Sequence, residues 1–226
     1  MPRLRSLVSA VCLVALAAPA LAGPRETLMN AAFSASSVPE AKQEVASALS
    51  AATAELAQDP NDSEAQLQQA LAIGYRAKLT RNSGDAKRAR QLFNAFLAAH
   101  PRDPEAQLAL AGWNLDAIAD LGPLLAKMVI GASKRDGLAA LDRAVALGQN
   151  RALFAAYGAL IRARLDPNDP VALRLAQQAV AAPTPTALDR MMQQRAASLL
   201  QSLRNGDKAG AATLAKRMLP FGTLNA

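Results

Sequence analysis

The sequence predicts an all-α protein of about ten short helices, folded as helix–turn–helix hairpins stacked side by side. Two observations carry this. Hydrophobic residues make up 51% of the chain but aromatic residues only 4%, so alanine and leucine supply most of the apolar content. Both lose little entropy in a helix. Apolar positions also recur at spacings of three and four between short breaks rich in Asp, Asn, Gly and Pro, and no alternating β-branched run suggests a strand.

The first residues read as a leader. Met1-Pro2-Arg3-Leu4-Arg5 is a basic head, Leu7 to Ala18 an apolar core, and Pro19-Ala20-Leu21-Ala22-Gly23 a small-residue cleavage site. This is the pattern of a secretory signal peptide over residues 1–22, cut after Ala22 and too short for a good membrane span. The protein is therefore expected in the periplasm with no transmembrane anchor after cleavage. Cys12, the only cysteine, lies inside the apolar core and follows Val11 rather than a small residue, which excludes a lipid-attachment site. Once the leader is removed, neither a disulfide nor a thiolate metal site is available. Arg3 and Arg5 leave with it, which lowers the formal charge from +7 to +5. The remaining charges are scattered along polar helix faces without a Lys/Arg tract, so nucleic acid is not an expected partner.

Residues 23–58 read as an N-terminal helical segment and 59–226 as a repeat domain. Residues 24–35 suggest a short helix or arm. Ser37-Val38-Pro39-Glu40 has the capping-box pattern, and Val45, Leu49, Ala52 and Leu56 form the stripe of the helix that follows. Asn61-Asp62-Ser63-Glu64 starts the next helix, and Asn82-Ser83-Gly84-Asp85 reads as a turn. A further helix carries Ala89, Phe93 and Phe96 as far as His100-Pro101. Asp103-Pro104 restarts the pattern with two apolar stripes, as expected of a helix packed between neighbours. Leu121–Ile130 is an apolar insertion between Gly122-Pro123 and Gly131. Ser133 begins another helix, and Gly148 at its end suits a left-handed cap. Asn150, Asp169-Pro170, the Pro183/Pro185 break and Asn205-Gly206-Asp207 mark the remaining boundaries.

This succession resembles tetratricopeptide (TPR) repeats, whose unit is two helices. Ile73-Gly74, Ala89, Phe93 and Pro101 match the first unit. Leu108, Ala111 and Gly112 with Gly137, Leu141 and Ala144 match a second, and Tyr157-Gly158 with Ala172, Ala176 and Ala179 a third. Residues 186–219 form a degenerate fourth. The second unit departs from the pattern through its insertion and through Gly148-Gln149 in place of a closing proline. Asp166-Pro167-Asn168-Asp169 looks like a repeat boundary although it falls at a mid-repeat turn. The insertion followed by a glycine-led helix also resembles periplasmic TPR proteins associated with TRAP-type solute transporters. The resemblance covers residues 60–219 and implies a right-handed superhelical stack whose concave face holds peptides or protein segments. The groove-facing positions would be Tyr75, Lys78, Trp113, Asp116 and Arg162, with Trp113 equally readable as packed between helices.

Catalytic chemistry is not expected. His100 is the only histidine and stands at a helix end, where a cation complements terminal carbonyls. Asp59, Asp62, Asp103, Asp166 and Asp169 sit beside prolines, serines and asparagines as caps and turn formers. Neither a metal site nor a cofactor is predicted, and no serine elbow, phosphate loop or calcium loop is found. The reading is an envelope adaptor that binds a protein. The competing reading is a carrier of an apolar small molecule or lipid, tied to a solute transporter, whose pocket would be lined by Leu124, Leu125, Met128 and Val129. Packing of these four into the core is the third option, with Met128 as a gap-filler.

Overall fold

The computed structural model describes residues 22–224. The leader read over residues 1–22 lies outside them, Ala22 excepted. The described residues form eleven helices and no strand: α1 (Pro24–Phe33), α2 (Val38–Gln58), α3 (Ser63–Thr80), α4 (Ser83–Ala99), α5 (Pro104–Leu121), α6 (Pro123–Ile130), α7 (Lys134–Leu147), α8 (Ala152–Leu165), α9 (Pro170–Ala181), α10 (Ala187–Arg204) and α11 (Lys208–Met218). The helix beyond the expected ten is α6, the apolar insertion. Gly122 (φ 80°) and Gly131 (φ 78°) bracket it in backbone conformations that other residues resist, and Pro123 presets its first turn.

The helices pair as α1–α2, α3–α4, α5–α7 and α8–α9, with α6 inserted in the third hairpin, while α10 packs mainly on α8 and α9 and α11 mainly on α8. From α3 to α9 the helix pairing follows the first three two-helix units read from the sequence. The N-terminal segment adds a hairpin before them. Its α2 packs on α3, which continues the array without a break.

Side-chain caps set most helix starts. Ser37, Asp62, Asn82, Asp103, Ser133, Asp169, Thr186 and Asp207 each accept a backbone N–H of the first turn. Such a bond is worth about 0.5–2 kcal/mol. Three expectations need correction. Asn82-Ser83-Gly84-Asp85 is not a free turn: α4 begins at Ser83, with Asn82 as its cap and Arg81 turning the chain at φ 55°. Gly148 is not left-handed (φ −73°); Gln149 and Asn150 take that conformation instead. A Cβ on Gly148 would come within 2.2 Å of the Phe154 ring, so the glycine is there for space. Asn150 does not cap α8 either. The cap residue is Arg151, and the free N–H groups are satisfied from a distance: Ala152 donates to the Pro183 carbonyl (3.0 Å) and Leu153 to the Asp189 carboxylate (3.1 Å).

The largest core cluster runs from Ala111 and Leu115 through α7, α8 and α9 to Leu199 and Leu219. Almost all of α8 is buried, as expected of a helix enclosed on every side. A second cluster holds Leu28, Ala31, Val45, Ala48 and Ala72 together with Phe221, which arrives from beyond α11. The main-chain N–H of Phe221 donates to the Ala32 carbonyl (2.7 Å), and its ring meets Tyr75 edge-on at 5.0 Å. Arg195 of α10 lies over the Phe33 ring at 4.6 Å and donates to the Met218 carbonyl. The tail after α11 thus packs against the first hairpin and α3.

Candidate functional site

Ion pairs tie helices α3, α5 and α8 at both ends and reach α1 and α10 at one. At their N-termini, Arg25 grips Glu64 of α3 with two hydrogen bonds of 2.7 Å and reaches Glu105 of α5 at 2.5 Å. Arg151 continues from Glu105 (3.3 Å) to Asp189 of α10 (3.0 Å). Asp189 is fully buried. Its burial opposes ionisation, but bonds from Thr186, Arg151 and the Leu153 amide outweigh this and hold its carboxyl below the usual range. At the opposite ends, Lys78 of α3 donates to Asp116 of α5 (2.8 Å), and Arg164 of α8 bridges Asp116 (3.1 Å) and Asp120. Glu64, Glu105 and Asp189 stand in first turns and Lys78 and Arg164 in last turns, so each also complements its helix dipole.

Of the five groove candidates, the fold brings three together. Tyr75, Lys78 and Asp116 share the second ladder. Burial, and then the Asp116 charge, pushes the Tyr75 phenol above its ordinary range, and burial, Asp116 and Tyr75 raise the Tyr157 phenol against the opposing charge of Arg164. Both therefore remain protonated at ordinary pH. Gly112 is what admits Tyr157: a Cβ there would meet the phenol oxygen at 2.6 Å. Phe221 packs on Tyr75, and Lys78 and Asp116 are mostly covered, so these three positions are occupied by the chain's own residues.

Trp113 and Arg162 lie elsewhere. The Trp113 indole N–H donates to the Ala86 carbonyl of α4 (2.8 Å), and the Arg90 guanidinium stacks on the ring at 5.4 Å. Trp113 joins the core between α3, α4 and α5 to a small cluster of Ile118, Ala126, Ile130 and Ala132. Arg162 is buried and donates to Asp142 of α7 (2.6 Å) and Asp169, the cap of α9 (3.0 Å). Both hold helices together.

Leu124, Leu125, Met128 and Val129 face outward. Leu124 is 73% and Met128 74% exposed, so the packing of Met128 into the core is not what the fold does. The reason is the length of α6: two turns offer one buried face, and Ala126 and Ile130 take it. Six large hydrophobic side chains are exposed among the described residues, and Leu121, Leu124, Leu125, Met128 and Val129 are five of them. A contiguous apolar patch of this kind marks a binding surface more often than scattered exposed leucines do.

Two concavities lie among the described residues. One of about 520 Å³ follows the small outer residues of α2, Ala46, Ser50, Thr53, Ala54 and Ala57, with Leu49 beside them and Arg76 of α3. The other, about 280 Å³, lies among Arg25, Glu64, Leu67, Phe96 and Glu105 at the first ladder. The four apolar residues of α6 line neither. Among the described residues, no cluster of three metal-ligating side chains occurs, and no helix is long and apolar enough to cross a membrane. Sequence reading singles out the four apolar residues of α6, but not their outward face, and does not see the charge ladders, because both depend on which side chains the fold brings together or leaves uncovered. No family model, curated protein or solved structure matches this chain.

Proposed function

We propose that this protein is an exported, non-catalytic helical-repeat adaptor of the bacterial envelope. It docks through α6 and leaves the rest of its array to hold a protein partner. The observation that carries the reading is the α6 stripe, where five of the six large exposed hydrophobic residues fall within nine positions. Leaving them in water forgoes roughly 1.5–3 kcal/mol of burial per side chain. A fold whose other apolar stripes are covered keeps this one outward for a contact made after folding. The leader supports export, and the succession of hairpins supports the TPR-like, superhelical reading. The small-sided concavity along α2 is the surface best shaped for a partner's helix, which small residues let approach closely.

The test is sedimentation of the purified chain with envelope fractions. Binding is expected for the parent and lost in Leu124→Asp/Met128→Asp, with the melting temperature unchanged. Equal sedimentation of both proteins would remove α6 as the docking element.

A further inference from the structure

We propose that the α6 stripe seats this protein on the surface of an anionic lipid bilayer. The inference rests on the reading of α6 as the docking element and names what it contacts. Leu124 and Met128, and Leu125 and Val129, stand four residues apart on one face, while Ala126 and Ile130 fix the opposite face in the core. The helix cannot roll, so its apolar stripe always points away from the molecule. The two glycine turns at its ends hold it at the edge of the third hairpin.

The charges around it select the occupant. Lys127 lies on the exposed flank of α6, and Lys134 opens α7 just beyond Gly131. Ala86 packs beside Ala126 and Ile130, and the exposed Lys87 follows it on α4. Among the described residues these three cations take part in no ion pair. Arg90 adds fixed positive charge where α6 ends, donating to the Gly131 carbonyl at 3.1 Å. Two of the nearby carboxylates are ion-paired, Asp120 by Arg164 and Asp136 by Arg135, while Asp166 is hydrogen-bonded by Asn168 and also feels the charge of Lys134. An apolar stripe flanked by unpaired cations is the pattern of a segment lying in a membrane interface, with side chains at the acyl boundary and cations among headgroup phosphates.

A second copy fits less well. It would press the same basic rim against itself. A two-turn helix about 12 Å long also falls short of the roughly 800 Å² per partner of a standard protein interface. A bilayer needs no matching shape.

The experiment is vesicle flotation of residues 22–226, which contain every helix and core cluster described, checked for cooperative melting beforehand. The probes are phosphatidylcholine vesicles and an equal mixture with phosphatidylglycerol. The chain is expected to float with the mixed vesicles, weakly with the neutral ones, and less as salt rises. Leu124→Asp/Met128→Asp should lower binding at least about tenfold, and Lys127→Glu about fivefold or more. A folded parent that stays at the bottom of the gradient overturns the proposal, as does binding indifferent to the α6 changes or equal on neutral vesicles. If α6-dependent binding appears with envelope fractions but not with protein-free vesicles, the docking reading stands and the lipid assignment fails. If neither shows it, both fail.

Discussion

Single residues in this fold act across large sequence distances. Gly112 is the clearest case, because the phenol of Tyr157 occupies the space where a Cβ would project. Gly112→Ala should cost about 1–3 kcal/mol as an overpacking change, measured by urea unfolding. Tyr157→Phe in the same chain should recover most of that loss, because it removes the atom that collides. A double-mutant cycle without coupling would show that the contact does not govern the site. Asp189 supplies a pH dependence. Its carboxyl ionises more readily in the folded chain than at the ordinary 3.8. The stability it adds is therefore complete well above that value and is lost as pH falls below it, through the lower folded value. Asp189→Asn should flatten the acid limb of the stability curve and cost about 1–3 kcal/mol near neutral pH, the scale of hydrogen bonds to a charged group. Neither role is visible in the sequence, where Gly112 reads as a small position of the second repeat unit and nothing singles out Asp189.

At the level of elements, the local signals were legible and the remote ones were not. Serine, aspartate and asparagine before an apolar stripe mark most helix starts, since a cap is a contact between residues two or three apart. The start of α8 could not be read, because its caps come from Pro183 and Asp189. The insertion was visible as an apolar run, but periodicity does not tell which of two hydrophobic faces finds a partner. The contrast within α6 is testable by thermal melts. Ile130→Ala, on the buried face, should cost about 2–4 kcal/mol. Leu124→Asp with Met128→Asp, on the exposed face, should stay within about 0.5 kcal/mol of the parent. Trp113, legible as an anchor but not as groove or core, ties α5 to α4 through Ala86. Trp113→Ala should cost about 2–4 kcal/mol and should not by itself reduce envelope binding.

For the molecule as a whole, the decisive contact is Phe221 against Tyr75 and Ala32. An open repeat array touches only its neighbours and frays from its ends. Here the tail after the last hairpin completes the core under the first. Phe221→Ala should cost about 3–5 kcal/mol and raise amide exchange in α1 and α3 as much as in α11, which an array of independent ends would not do. The same contact sets the order of events at birth. The first hairpin leaves the ribosome with its apolar floor unfinished, and the side chain that finishes it is made only after all eleven described helices. Native closure of the first hairpin must therefore wait until α11 has been made, a delay that suits the export proposed above.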